Sequence, residues 1–183
     1  MRVLFLDIDG VLNSMLTNVE RRLLTIEEHE LVDETLPEID RKLGGWALKT
    51  LDPVLISRLC TLLEACDIQN VVISSNWKDS FPLAFIDGAL RLHGFDAKII
   101  GKTPDRTAEQ RLSDVVSRGK LIKEWLKNNS GVTEILIIDD RTDMDDLPGF
   151  VHINGNTGLT EYDIESAKTR VAPIPSFTKK KRK

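Results

Sequence analysis

The chain has 183 residues, 41% hydrophobic and 30% charged, with a formal net charge of −4. This length suits one domain, and it buries roughly 70% of the unfolded chain's surface, so no disulfide or metal staple is needed. Apolar runs stop at four or five residues, as in Val3-Leu4-Phe5-Leu6, which excludes a transmembrane helix, and no secretory leader is expected after Met1-Arg2-Val3.

Cys60 and Cys66 fall in a helical pattern and read as reduced core residues of a cytosolic protein. Charge is unevenly placed. Lys179-Lys180-Lys181-Arg182-Lys183 carries five positive charges, leaving 20 Lys and Arg against 29 Asp and Glu, a net of −9, in the rest. A broad basic nucleic-acid face is therefore not visible in the body of the chain.

In chain order, residues 2–7 read as a buried strand that ends at Asp7-Ile8-Asp9-Gly10. Residues 13–51 hold a charged helical pattern over about 19–36, then Gly44-Gly45-Trp46; they form either a small cap or a peripheral surface helix. A helix is expected over 53–65, with Asp52 as N-cap and Pro53 at its first position. Val71-Val72-Ile73 is a β-branched strand followed by Ser74-Ser75-Asn76. Ser80-Phe81-Pro82 opens a helix that runs to about His93 and stops at Gly94. Residues 98–101 form a short strand and 101–118 a polar loop.

The next helix spans 120–127, with Leu121, Ile122, Trp125 and Leu126 on one face. Ile135-Leu136-Ile137-Ile138 is a buried strand leading into Asp139-Asp140, and 151–153 is the last strand. Thr160-Glu161-Tyr162-Asp163 has the form of a capping box for a final helix. From Pro173 onward a disordered basic tail is expected.

Apolar strands alternating with helices predict an α/β fold, a three-layer Rossmann-like parallel sheet with helices on both faces and at most a small helical cap. Three strands end in polar clusters: Asp7/Asp9, Ser74/Ser75/Asn76 and Asp139/Asp140. Open parallel sheets bind ligands beyond the carboxyl ends of their strands, so the three clusters are expected to converge.

Their chemistry is complementary. Of two carboxylates at i and i+2, one can attack phosphorus while the other moves a proton. Crowded acids need a cation, and Mg²⁺ suits oxygen ligands. A hydroxyl and free N–H groups after the second strand can hold phosphoryl oxygens.

Together these residues resemble the haloacid dehalogenase (HAD) superfamily. Its first motif is matched by Asp7-Ile8-Asp9-Gly10-Val11-Leu12-Asn13, its second by Ser74 and its fourth by Asp139-Asp140-Arg141-Thr142-Asp143. Its third is a lysine or arginine; Lys120 lies 19 residues before Asp139 and Arg118 lies 21 before. A closer resemblance is to the HAD domains of Swiss Army Knife RNA-repair proteins. It is carried by residues 3–13, Ser74-Ser75-Asn76-Trp77-Lys78, Gly101-Lys102-Thr103-Pro104, Arg118-Gly119 with Ile122 and Trp125-Leu126, Ile138-Asp139-Asp140 and Gly158-Leu159-Thr160. That subgroup is similar to the phosphatase half of polynucleotide kinase-phosphatases and to 5′(3′)-deoxyribonucleotidases.

The resemblance implies a Mg²⁺-dependent phosphatase. Asp7 attacks phosphorus, forming an aspartyl-phosphate; Asp9 protonates the leaving oxygen and then activates water. Mg²⁺ bridges Asp7, the Asp9 carbonyl and Asp140, with Asp139 supporting or sharing the ion. Ser74, Ser75, Asn76, Lys78 and either Arg118 or Lys120 contact the phosphate, Lys78 standing where the subgroup usually has arginine. The implied substrates are a phosphorylated small molecule, a nucleotide or a nucleic-acid end. A non-catalytic binder of phosphorylated nucleotides is the alternative, although a binder has no need of both Asp7 and Asp9.

Trp46, Trp77 and Trp125 are candidates to stack on bases; Trp125, in register with Leu121 and Ile122, is core, and Trp77, beside the expected phosphate site, is the best stacking candidate, with core packing as the competing and favoured role. His29, His93 and His152 share no metal-ligand spacing. The expected location is cytoplasmic, or nuclear if the 179–183 run is a localisation signal. Oligomeric state is not encoded in any motif.

Overall fold

Strands with unbroken apolar runs must be covered on both faces, and the chain does this with a central parallel sheet. The computed structural model describes residues 1–14, 16, 22–113, 116–144 and 146–175. The sheet runs in the order β3 (Lys98–Lys102), β2 (Asn70–Ile73), β1 (Arg2–Leu6), β4 (Glu134–Asp139), β5 (Phe150–His152), all parallel. A two-residue β6 (Ala172–Pro173) pairs antiparallel with the start of β4. The expected α/β class is therefore the observed one.

Side chains alternate across β1. Leu4 and Leu6 enter one core with α1 (Ile26–Thr35), α2 (Glu38–Thr50), α3 (Pro53–Ala65), α4 (Leu83–Arg91) and α7 (Glu161–Lys168). Val3 and Phe5 enter the other, against α6 (Arg118–Lys127), where Trp125 meets the Phe5 ring edge-on at 5.4 Å. The period of two along an extended strand makes both cores from one five-residue run.

Capping follows the sequence signals at most ends. The Asp52 side chain accepts from the Val54 N–H with Pro53 at the first turn of α3. Thr160 and Asp163 form a reciprocal capping box on α7. Thr25 and Glu28 form another on α1 that the sequence reading passed over.

Three expectations change. The helical pattern of 19–36 becomes α1 from Ile26 only, with 22–25 non-helical and 19–21 outside the described residues. Gly44-Gly45-Trp46 lies inside α2, where the missing Gly44 side chain admits Leu36: a Cβ there would stand 2.4 Å from Leu36 Cδ1. Val32, Leu36, Ala47 and Leu48 share the main core, so α1 and α2 extend one covering layer of the sheet. The 101–118 segment contains a short helix, α5 (Ala108–Ser113), and Arg118 opens α6.

Pro173 is in β6 and the Ile174 N–H bonds to the Thr133 carbonyl, so the chain is tied down past the point where a tail was expected to begin. Residues 176–183, with the basic run, lie outside the described residues. No helix among the described residues is long and apolar enough to cross a membrane. Cys60 and Cys66 are free thiols.

Candidate active site

β1 is the point where the sheet order reverses: β2 and β3 lie to one side, β4 and β5 to the other. The crevice beyond its carboxyl end is where such a sheet binds ligands. A cleft of about 620 Å³ opens there, lined by Asp7, Asp9, Asn13, Trp46, Asn76, Arg118, Asp140, Arg141 and the Asn154–Asn156 turn among others.

Asp7 follows β1 and is buried; its Oδ1 accepts the N–H of Ile8 at 2.8 Å. Asp139 ends β4, fully buried, and its Oδ1 accepts the N–H of Arg141 at 2.9 Å. Asp7, Asp139 and Asp140 each present an oxygen within 4.8 Å of the others. Space for Asp140 is made by absent side chains: a Cβ on Gly10 (φ +75°) would stand 2.3 Å, and one on Gly155 2.8 Å, from Asp140 Oδ2.

The counter-charge is Arg118. Its Nη1 lies 2.8 Å from Asp7 Oδ1 and 3.0 Å from Asp139 Oδ2, close ionic contacts that are not aligned as hydrogen bonds. Its place is fixed by the start of α6. Ser117 caps the helix, the Arg118 N–H bonds to Asp143 Oδ2 at 2.9 Å and the Gly119 N–H to the Asp143 carbonyl at 3.0 Å. Arg141 in turn grips both Asp143 oxygens at 3.0 Å.

Electrostatics follow from crowding. Burial, then the charge of Asp7, push the Asp139 carboxyl from its ordinary 3.8 to about 8, with Arg118 opposing. Burial and Asp7 also raise Asp140. Burial works against the Arg118 charge, but Asp7 and Asp139 outweigh it and hold the guanidinium above its ordinary range. Asp143 is held low despite burial by the Arg118 N–H and the Arg141 side chain.

Of the residues the sequence singled out, Asp7, Asp9, Asn76, Arg118 and Asp140 line the cleft. Asp139 lies behind it, joined through Arg118. Ser74 is buried after β2, its backbone N–H on the Leu6 carbonyl and its Oγ without a hydrogen-bond partner among the described residues. Asn76 Oδ1 accepts from Arg118 Nη2 at 3.4 Å.

Four expectations are corrected. Ser75 turns inward and caps the 3-10 turn Asn76–Asp79, its Oγ accepting the Trp77 N–H. Lys78 is buried away from the cleft, its Nζ 2.9 Å from Asp79, which also pairs with Arg106. Burial pushes the Lys78 ammonium below its ordinary range, with Asp79 opposing. Lys120 is exposed on α6, two residues round the helix from Arg118, and does not line the cleft. The Asp9 carboxylate, expected to move a proton while the Asp9 carbonyl meets the ion, stands outside the acidic trio: its Oδ1 accepts from Asn13 Nδ2 at 2.8 Å and Trp77 Nε1 at 2.9 Å. Trp77, 4% exposed, therefore offers no face for stacking.

Sequence reasoning did not assign Asn13, Thr50, Arg141, Gly155 or the asparagines at 154 and 156 to the site. Asn13 and Arg141 lie within the Asp7–Asn13 and Asp139–Asp143 motifs and were within reach; the others come from distant elements and carry no local signature.

A family sequence model described as the HAD domain in Swiss Army Knife RNA repair proteins matches residues 3–164. The chain belongs to that family, and its fold and acidic cluster are those of a phosphatase-type enzyme in general. Neither a curated protein nor a solved structure gives a significant match.

Because Asp139 binds its proton more tightly folded than unfolded, that contribution to stability is fully present below the unfolded value of 3.8 and is lost as pH rises through about 8. In chelator, Asp139→Asn should therefore melt higher than wild type at pH 8, by about 2 °C or more, and the gap should close toward pH 4. Thermal melts of both proteins across that range check it.

Proposed function

We propose that this HAD domain is a Mg²⁺-dependent phosphomonoesterase that acts through an aspartyl-phosphate on nucleotides or nucleic-acid ends. The observation that carries the reading is the Asp7–Arg118–Asp139–Asp140 cluster at the mouth of the cleft. Three buried or half-buried carboxylates with a single arginine leave excess negative charge, and Asp139 Oδ2 has no aligned hydrogen bond. A hard divalent cation fits such an all-oxygen set. Asp7, Asp139 and Asp140 would hold it. When bound, Mg²⁺ neutralises charge between these carboxylates and the phosphoryl oxygens.

The chain's own residues supply the rest. The Asp7 carboxylate attacks phosphorus as the bond to the leaving oxygen breaks, and Asp9 gives that oxygen its proton. Water then attacks the aspartyl-phosphate while Asp9 takes a proton from it, releasing phosphate and restoring both acids. Arg118, one of the two residues expected in the role, binds equatorial phosphoryl oxygens, and the Ser74 hydroxyl, which shares a small recess with Arg118 and has no hydrogen-bond partner among the described residues, completes the phosphate site.

The substrate class is supported by the far wall of the cleft. Trp46 on α2 lines it while 52% exposed, and Thr50, one turn further on, lines it too. Asn13, Asn154 and Asn156 add donors and acceptors around the same opening. An exposed indole beside amide groups suits a nucleobase joined to the reacting phosphate.

Asp7→Asn should keep the fold and lose more than 99% of turnover, and excess chelator should do the same to the wild type, as read by phosphate release. Arg118→Ala should lower kcat/KM by roughly 100-fold, the scale of one transition-state charge contact, whereas Lys120→Ala should change it less than about twofold. Equal losses would return Lys120 to the phosphate site. Trp46→Ala should raise KM for a nucleoside monophosphate by roughly tenfold, the scale of one stacked base, and leave KM for glycerol phosphate unchanged. Steady-state kinetics on the two esters check this.

A further inference from the structure

The Asp9 carboxylate is exposed, yet one of its oxygens is held twice. Oδ1 accepts from Asn13 Nδ2 at 2.8 Å and from Trp77 Nε1 at 2.9 Å. Among the described residues no hydrogen bond reaches Oδ2. Both donors are themselves fixed. Asn13 Oδ1 accepts the Gly10 N–H at 2.8 Å, tying the amide across the turn that carries Asp9.

Trp77 sits in the 3-10 turn after β2, with the Ser75 hydroxyl on its N–H and the N–H groups of Ser80 and Phe81 on its carbonyl. Its ring meets Phe81 edge-on at 5.4 Å, and Phe81 stacks at 4.9 Å on Phe85, which is fully buried in α4. A line of three packed aromatics thus anchors one indole N–H against the carboxylate.

We propose that Trp77 and Asn13 are positioning residues that lock the carboxyl torsion of Asp9 and assign its mobile proton to Oδ2. The proposal rests on the reading of Asp9 as general acid given above. The terminal torsion of an aspartate is broad, so a free Asp9 would turn its acidic oxygen in and out of line with the leaving group. With Oδ1 taken by two donors, Oδ2 is the oxygen left to carry the hydrogen at the cleft that Asp9 lines. As Asp7 bonds to phosphorus, the P–O bond to the leaving group breaks, and that oxygen's electron pair takes the Oδ2 proton. Asp9 is left as carboxylate. It regains a proton at Oδ2 from the water that cleaves the aspartyl-phosphate.

A buried indole N–H also needs an acceptor for its own sake, so the competing role is structural. The two roles separate by leaving group in the phosphorylation step, read as single-turnover release of the alcohol or phenol, because hydrolysis of the aspartyl-phosphate is common to both esters and calls on Asp9 for each. An alkoxide from a sugar needs the proton as it departs; a nitrophenolate departs without it. A purely structural defect lowers both rates together. Misplacement of a catalytic group by about 1 Å costs on the order of 100-fold, which sets the scale.

Trp77→Phe keeps the aromatic packing and removes the donor. Asn13→Ala, at a half-buried position outside the aromatic line, removes the other donor and serves if Trp77→Phe does not fold. Each variant is assayed with Mg²⁺ on a nucleoside monophosphate and on p-nitrophenyl phosphate. The expected result is a loss of roughly 10- to 100-fold in the single-turnover rate of nucleoside release from the nucleotide and of less than about threefold in that of nitrophenol release from the aryl ester. The double variant should lose little more than the worse single one, because both donors serve one oxygen. Equal losses on both esters, or no loss on either, overturn the clamp while leaving the phosphatase reading intact. A wild type that hydrolyses neither ester overturns both.

Discussion

Two carboxylates buried side by side at the ends of neighbouring parallel strands repel each other in a medium that screens poorly. Asp7 after β1 and Asp139 at the end of β4 are in that position because their strands pair in register, Leu6 opposite Ile138, with the Asp7 N–H on the Ile138 carbonyl. The Arg118 guanidinium between them is what the rest of the site depends on. One cation against the charges of Asp7, Asp139 and Asp140 leaves the cluster under-neutralised, which burial turns into the raised proton affinity of Asp139. On the proposed reading the same imbalance would favour a divalent ion.

Arg118 could not hold this position from a mobile loop. It begins a helix whose N-terminal N–H groups are bound by Ser117 and Asp143, with Asp143 itself held by the Arg141 fork. Residues just after β4 thus fasten the helix that supplies the neutralising charge to the end of β4. An acidic residue at a helix N-terminus is favoured by the helix dipole, so the arrangement is stable without a ligand.

On the other side of the cleft, Asp9 belongs to a separate network. Its partners come from its own turn and from the turn after β2, and its carboxylate is kept from the acidic trio. On the proposed reading the division is chemical as well as spatial: the trio would hold the cation, while Asp9 would carry and shed the proton of the leaving group. Trp46 on α2 completes the opening with an apolar face, using a helix that is otherwise part of the core.

The sequence by itself determined the α/β class, the strand order in the chain, most helix ends and the strand that delivers Asp7 to the cleft. These features rest on local signals: unbroken apolar runs, Asp52-Pro53, the Thr160–Asp163 box and a carboxylate pair just beyond a buried strand. Only the tertiary structure showed that Arg118 lines the cleft and Lys120 does not. They lie two apart on one helix, and a helix turns neighbouring positions about 100° apart, so a spacing rule tolerant of two residues cannot say which faces the cleft. It also moved Ser75 and Lys78 inward and made Trp77 a hydrogen-bond donor, because a 3-10 turn at that point reorients successive side chains. The partners of Asp9, the fork of Arg141 on Asp143 and the approach of Trp46 join residues from different elements, or depend on which way a side chain turns. No local pattern records such contacts; they exist only once the sheet has brought its strand ends together.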